Sequence, residues 1–171
     1  MMQLTLKKLT AQDGREIYDM LQEIPKEECG FQNNAQGKSY AEYQAWLAAQ
    51  EKSAVQEGLV DGWRVPQTTY WLYADDVPVG VAKLRHFLTD ALRDAGGHIG
   101  YAIRPTERGK GYGTAICRLA LQEAFALGID SVLITTQSDN EASKAVCRRN
   151  GGKEAPERLN HCYFWFTEDG K

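Results

Sequence analysis

The chain has little of what metal, nucleic-acid and membrane chemistry require. Three of its 171 residues are histidine, and none stands at metal-ligand spacing from another or from a cysteine, so no metal site is expected. Its four cysteines, Cys29, Cys117, Cys147 and Cys162, lie far apart with no CxxC pair. With no secretory apolar segment near Met1, this reads as reduced thiols in a cytoplasmic protein. Basic residues are dispersed and the formal net charge is −3, which argues against nucleic acid as a partner. No stretch approaches the ~20 apolar residues of a membrane span, and there are no repeats, low-complexity segments or second domain boundary. What the chain does have is 43% hydrophobic residues, enough for one sizeable core in a single α/β domain spanning residues 1–171.

The most informative stretch runs from His98 to Thr114. Its first half, His98-Ile99-Gly100-Tyr101-Ala102-Ile103-Arg104, reads as a strand closed by Pro105. Its second half places Gly109, Gly111 and Gly113 around Lys110, after Arg108, and an apolar helical run follows through Ala115, Ile116, Leu119, Ala120 and Phe125. A strand, a glycine-rich turn and a helix start point free N–H groups and the positive end of the helix dipole at one spot, which suits an anion. Two common phosphate loops fail here. A P-loop needs Ser or Thr after the lysine, where Gly111 stands; the dinucleotide GxGxxG needs glycine at Thr114 or Ile116. The bland reading is a surface turn beside a helix.

Elsewhere the pattern alternates helices and strands. Met2–Leu9 is an expected strand, and Asp13 is an expected cap for a helix carrying Ile17, Met20, Leu21 and Ile24 inward and closed by Pro25. Cys29–Lys38 reads as a loop, and Ser39 as the cap of a helix to about Gln56 with Tyr40, Tyr43, Trp46 and Leu47 on one face. Core packing or a wall for substrate would each explain that stripe. Gly58–Thr69 reads as a connector, Tyr70–Ala74 and Val77–Phe87 as a hairpin turning at Asp75-Asp76, and Leu88–Gly97 as a loop with one helical turn at Thr89–Leu92. Ser131–Thr136 is a buried strand by its β-branched content, Asn140–Arg149 a helix capped at Asn150-Gly151-Gly152, and Cys162–Phe166 the closing strand.

Arg108-x-x-Gly111-x-Gly113 after a strand ending Ile103-Arg104-Pro105, together with Asn140-x-x-Ser143 opening a helix, resembles the GNAT superfamily of acetyl-CoA-dependent N-acetyltransferases. More narrowly, Val65–Trp71, Leu84-Arg85-His86 and Gly97–Tyr101 resemble a bacterial branch of it. The resemblance covers roughly residues 70–166. It implies a mixed sheet flanked by helices and splayed at its central strands, a classification of α/β, and acetyl-CoA as co-substrate. It also implies a coenzyme site formed by Ala102, Ile103, Arg104, Arg108, Gly109, Lys110, Gly111, Tyr112, Gly113, Thr114, Asn140 and Ser143, with the backbone N–H near Ile103 facing the thioester oxygen.

N-acetyl transfer requires an amine, with a lysine-like pKa near ~10.4, to lose a proton before it attacks. His98 is the expected base, because it occupies the place of the glutamate in the family's Glu-Ile-Gly-Tyr pattern and imidazole titrates in a suitable range. A histidine that only orients Gly96-Gly97 is the competing reading. Where many members carry a tyrosine as the acid for the departing thiolate, this chain has Cys147, so Ser143, Tyr101 and Tyr163 are the alternatives. Phe31, Tyr40, Arg85 and His86 are expected at the acceptor, with Arg85 suited to a carboxylate; His161 is expected to be structural. The expected activity is acetylation of a small-molecule or peptide amine, the rivals being a silent acyl-CoA sensor and a nucleotide-binding module. The aromatic run Tyr163–Phe166 offers a contact for a homodimer.

Overall fold

The computed structural model describes residues 1–55, 62 and 64–169. Gln56, Gly58 and Trp63, at the expected helix end and connector, lie outside the described residues. The first half comprises β1 (Leu4–Lys8), α1 (Arg15–Glu23), β2 (Glu27–Glu28), β3 (Phe31–Gln32), α2 (Tyr40–Ser53), β4 (Gln67–Ala74) and β5 (Val77–Arg85). The second comprises α3 (Asp90–Asp94), β6 (Ile99–Ile103), a 3-10 turn (Pro105–Glu107), α4 (Tyr112–Ala126), β7 (Ser131–Gln137), α5 (Glu141–Arg149), β8 (Lys153–Arg158) and β9 (His161–Thr167).

Strands form two main sheets, in the orders β1-β4-β5-β6 and β7-β9-β8, all neighbours antiparallel. Period-2 alternation sorts the side chains of the first sheet between two cores. Tyr70, Leu72, Ala82 and Leu84 pack with Ile116, Cys117 and Ala120 of α4, whereas Trp71, Tyr73 and Val81 pack with Ile17, Met20 and Leu21 of α1 and with Tyr43 and Leu47 of α2. Ser39 and Glu42 close a reciprocal capping box at the start of α2. Asp13 does not cap α1, which starts from Gly14 without a side-chain cap. Its carboxylate instead accepts from Trp71 Nε1 at 2.7 Å and Thr10 N–H at 2.8 Å, tying the chain before α1 to the sheet.

The Cys29–Lys38 stretch is not wholly loop. β2 and β3 form a hairpin in which Glu28 faces Phe31, and the two turn residues Cys29 and Gly30 have φ of 51° and 87°, the positive values that a tight two-residue hairpin turn requires. β8 was likewise not expected. In the aromatic run of β9, Tyr163, Phe164 and Phe166 are buried in the core, and Trp165, at 37% exposure, is its surface residue.

The two sheets meet at one narrow junction. His98 N–H donates to the Leu133 carbonyl at 2.7 Å, and Leu133 N–H donates back to His98 Nδ1 at 2.9 Å. Gly96 N–H donates to Thr135 Oγ1 at 2.8 Å. Gly97 fits only as glycine: its φ is 61°, and a Cβ would lie 2.5 Å from the Leu133 carbonyl oxygen. Beyond this point β6 pairs with β5 and β7 with β9, but not with each other.

Candidate active site

A cavity of about 870 Å³ occupies the gap where β6 and β7 part. Antiparallel register decides which main-chain groups face it. Arg104 N–H donates to the Val79 carbonyl at 2.8 Å, so Arg104, Ala102 and Gly100 address β5, and the groups of Ile99, Tyr101 and Ile103 lie on the open edge. Arg108 Nε already donates to the Ile103 carbonyl at 3.0 Å.

At the wide end of the gap, Gly109 and Gly111 adopt φ of 79° and 85°, and Gly111 is the N-cap of α4. No atom lies within 4 Å of where a Cβ would stand on either, so their glycine requirement is conformational and the loop surface is open. The three nearby cations all have partners. Arg104 pairs with Glu23 and Arg108 with Glu28, each at 2.5 Å, and Lys110 pairs with Glu107 at 2.8 Å. Arg108 borders the cavity; Arg104, Lys110 and Thr114 do not. On the α5 side, Asn140 Oδ1 accepts from Ser143 N–H at 3.1 Å, capping that helix, and both residues line the cavity. Tyr101 Oη stands 3.5 Å from Ser143 Oγ, and burial pushes its pKa upward, so the phenol stays protonated. Tyr163 donates to the Asp94 carbonyl at 2.5 Å and is not part of the wall. Cys147 is fully buried in the core, its thiol pKa raised by burial.

The structure sets two of the histidines in different surroundings: His98 lies at the sheet junction and His161 on the cavity wall. His98 is 6% exposed and is not part of the cavity wall. A neutral imidazole has one acceptor nitrogen, and in His98 the Leu133 N–H occupies it. Burial, with Arg85 and Arg93 nearby, lowers its pKa to about 4. His98 therefore joins the sheets and has no lone pair left for a substrate proton. His161 lines the cavity. Its Nδ1 lies 2.8 Å from the Leu159 carbonyl, an arrangement that requires Nδ1 to carry the proton and leaves the Nε2 lone pair free. His86 pairs with Thr68 Oγ1 at 2.8 Å, and Tyr40 packs edge-on against Tyr18 at 5.4 Å; neither reaches the cavity. Phe31 and Arg85 do.

Several wall residues carried no sequence signal that was read: Glu28, Gln32, Lys83, Thr135, Thr136 and Gln137. For the first two, the signal was the Cys29-Gly30 turn between short runs. Thr136 Oγ1 is buried without a hydrogen-bond partner, which no other side-chain oxygen or nitrogen is among the described residues.

A divided antiparallel sheet, a left-handed glycine loop at a helix start and an open central strand edge are together the frame of an α/β acetyltransferase. The family profile of the acetyltransferase (GNAT) domain matches residues 3–153, and the chain belongs to that family. Solved structures repeat the fold at low identity. N-acetyltransferase PseH of Campylobacter jejuni, in complex with acetyl coenzyme A, superposes with a TM-score of 0.65 at 12% identity, over 97% of this chain and 99% of that one. RimL, a ribosomal L7/L12 alpha-N-protein acetyltransferase in complex with coenzyme A, gives a TM-score of 0.69 at 19% identity over 98% and 96%. A chimera of the spermidine N-acetyltransferase SpeG, from Vibrio cholerae and hSSAT, gives 0.65 at 14% over 98% and 96%. No curated protein sequence gives a significant match.

Proposed function

We propose that this protein transfers the acetyl group of acetyl-CoA to a primary amine by direct attack in a ternary complex. The observation that carries the reading is the unpaired edge of β6 running into the glycine loop at the start of α4. A pantetheine amide can pair with an open strand edge, and a diphosphate suits helix-start N–H groups. The residues present fit such a ligand. The loop at Gly109 and Gly111 is sterically open, Arg108 sits at its rim, and the orphaned Thr136 hydroxyl offers a buried hydrogen bond. The likeness to structures crystallised with coenzyme A or acetyl coenzyme A supports the same assignment.

Within this frame the chain's own groups divide the work. His161 Nε2 accepts the proton that the ammonium must lose, with Nδ1–H held by Leu159. The open-edge N–H groups of Tyr101 and Ile103 are the donors available to the oxygen that gains charge when nitrogen adds to the thioester carbon. The C–S bond then breaks, sulfur leaves with the electron pair, and the extra proton still on the attached nitrogen passes to the thiolate, giving the amide and the free thiol. Tyr101, which stays protonated and neighbours Ser143, donates a hydrogen bond to the departing sulfur. Phe31 and Arg85 belong to the acceptor side. Thiol release from acetyl-CoA, measured with and without a panel of amines, tests the reading. Release that depends on an amine is the expected result, and binding of acetyl-CoA without turnover on any amine would refute it.

A further inference from the structure

Two cations in the cavity wall lack a counter-charge. Lys83 and Arg85 stand two residues apart on β5, so both project from the face carrying Val81, away from α4. Both are half-buried and border the cavity. On the other sheet, Gln137 of β7 pairs with His161 of β9, and both residues also line the cavity. Neutral groups hold the cations in place. Lys83 Nζ donates to the Gln32 carbonyl and lies 4.6 Å from the centre of the Phe31 ring. Arg85 Nη1 donates to the Gly96 and Gly97 carbonyls at 3.2 and 3.0 Å. No carboxylate among the described residues pairs with either one. The acidic residues of the wall, Glu28 and Glu107, are bound to Arg108 and Lys110 on the coenzyme side. Burial and the Arg85 charge lower the Lys83 pKa to about 8; the attraction of an anion placed between the two cations would oppose that lowering.

We infer that the acceptor is an amine bearing its own oxyanion, a carboxylate or a phosphate ester, which Lys83 and Arg85 bind while the amine faces His161. This rests on the acetyl-transfer reading above and narrows its substrate class. A polyamine would bring further positive charge against two uncompensated cations in a partly desolvated cleft, a like-charge clash that selects against it. An arginine fork beside a lysine suits an oxyanion.

Matched probes test this: β-alanine against β-alaninamide, phosphoethanolamine against ethanolamine, and spermidine, each with acetyl-CoA. The anionic member of at least one pair should exceed its neutral partner in kcat/KM by about ten-fold or more, the scale of one charge-assisted contact; which pair responds tells carboxylate from phosphate. Lys83→Gln should reduce that preference several-fold, with Arg85 left to bind alone, Lys83→Arg should keep it, and the KM for acetyl-CoA should be the same in both variants. Equal or better turnover of the neutral amines or spermidine overturns the inference and leaves the transferase reading intact, as does a preference undiminished by Lys83→Gln. Absence of turnover on every amine, with coenzyme A still bound, refutes the transferase reading and the inference with it.

Discussion

Replacing His98 separates a sheet-joining histidine from a catalytic one. In His98→Ala the buried Leu133 N–H loses its acceptor, which costs about 1–3 kcal/mol. In His98→Asn the amide oxygen stands close to where Nδ1 stood and can restore the bond, but it does not titrate. The pH dependence follows from the depressed pKa. Between pH 6.5 and about 4 the unfolded imidazole binds a proton that the folded one refuses, so the imidazole makes stability fall as the pH falls through that window. At about 1.4 kcal/mol per pH unit, the full effect is about 3 kcal/mol. Arg85 from β5 and Arg93 from α3 reinforce it. Urea unfolding of wild type and His98→Asn across this range isolates the contribution, because the carboxylates titrating nearby are common to both. Wild type should lose its stability relative to His98→Asn as the pH falls from 6.5 to 4.5, and His98→Asn should keep turnover near the wild-type value at pH 7.5. A stability difference independent of pH would refute the argument. So would a folded His98→Asn protein that has lost the factor of about 10²–10⁴ associated with removing a general base.

That factor is expected instead from His161→Gln, with the KM for acetyl-CoA little changed; an unaffected kcat would remove His161 from the mechanism. Thr136→Val removes a buried hydroxyl that has no partner, so the free protein should gain about 1 kcal/mol by thermal unfolding. The same variant should bind coenzyme A several-fold more weakly by calorimetry, and unchanged affinity would show that the hydroxyl does not serve the coenzyme. Glu28→Gln frees Arg108 from a half-exposed pair worth about 0.5–1 kcal/mol, so coenzyme A should bind two- to five-fold tighter if Arg108 turns to its phosphates. Weaker binding would place Glu28 on the opposite side of the argument. Gly97→Ala forces a Cβ to 2.5 Å from the Leu133 carbonyl at a positive φ, and it should cost at least about 2 kcal/mol in urea unfolding.

The elements that were legible in the sequence are those whose signals are local. Apolar spacing set out α1 and α4, Ser39 marked the start of α2, where the structure adds the reciprocal bond from Glu42, and the glycines at 109 and 111 announced the turn before α4, which the structure shows to be left-handed. β2 and β3 escaped because two residues per strand are too few to show alternation, and Lys153–Arg158 escaped because β8 is mostly exposed and carries charges at most positions. The surroundings of the histidines were illegible for a different reason. Position within a motif shows that His98 stands where the sheets divide, but which ring nitrogen is free depends on Leu133, 35 residues later, and on the carbonyl of Leu159 beside His161. Charge in the cleft is also a property of pairs. Read along the chain, Arg104, Arg108 and Lys110 are three cations awaiting phosphates, yet the fold supplies each with a carboxylate, two of these from the α1–β2 region about eighty residues away. Lys83 and Arg85 look ordinary on a strand, and the fold leaves them with carbonyl partners and no opposite charge. The glycine-loop end of the cavity is therefore charge-paired until an anion displaces a glutamate, whereas the β5 wall carries two cations without a carboxylate partner among the described residues. A substrate that cancels that charge gains attraction at no comparable cost in broken ion pairs, and for this reason discrimination among amines should depend on β5 more than on the glycine loop.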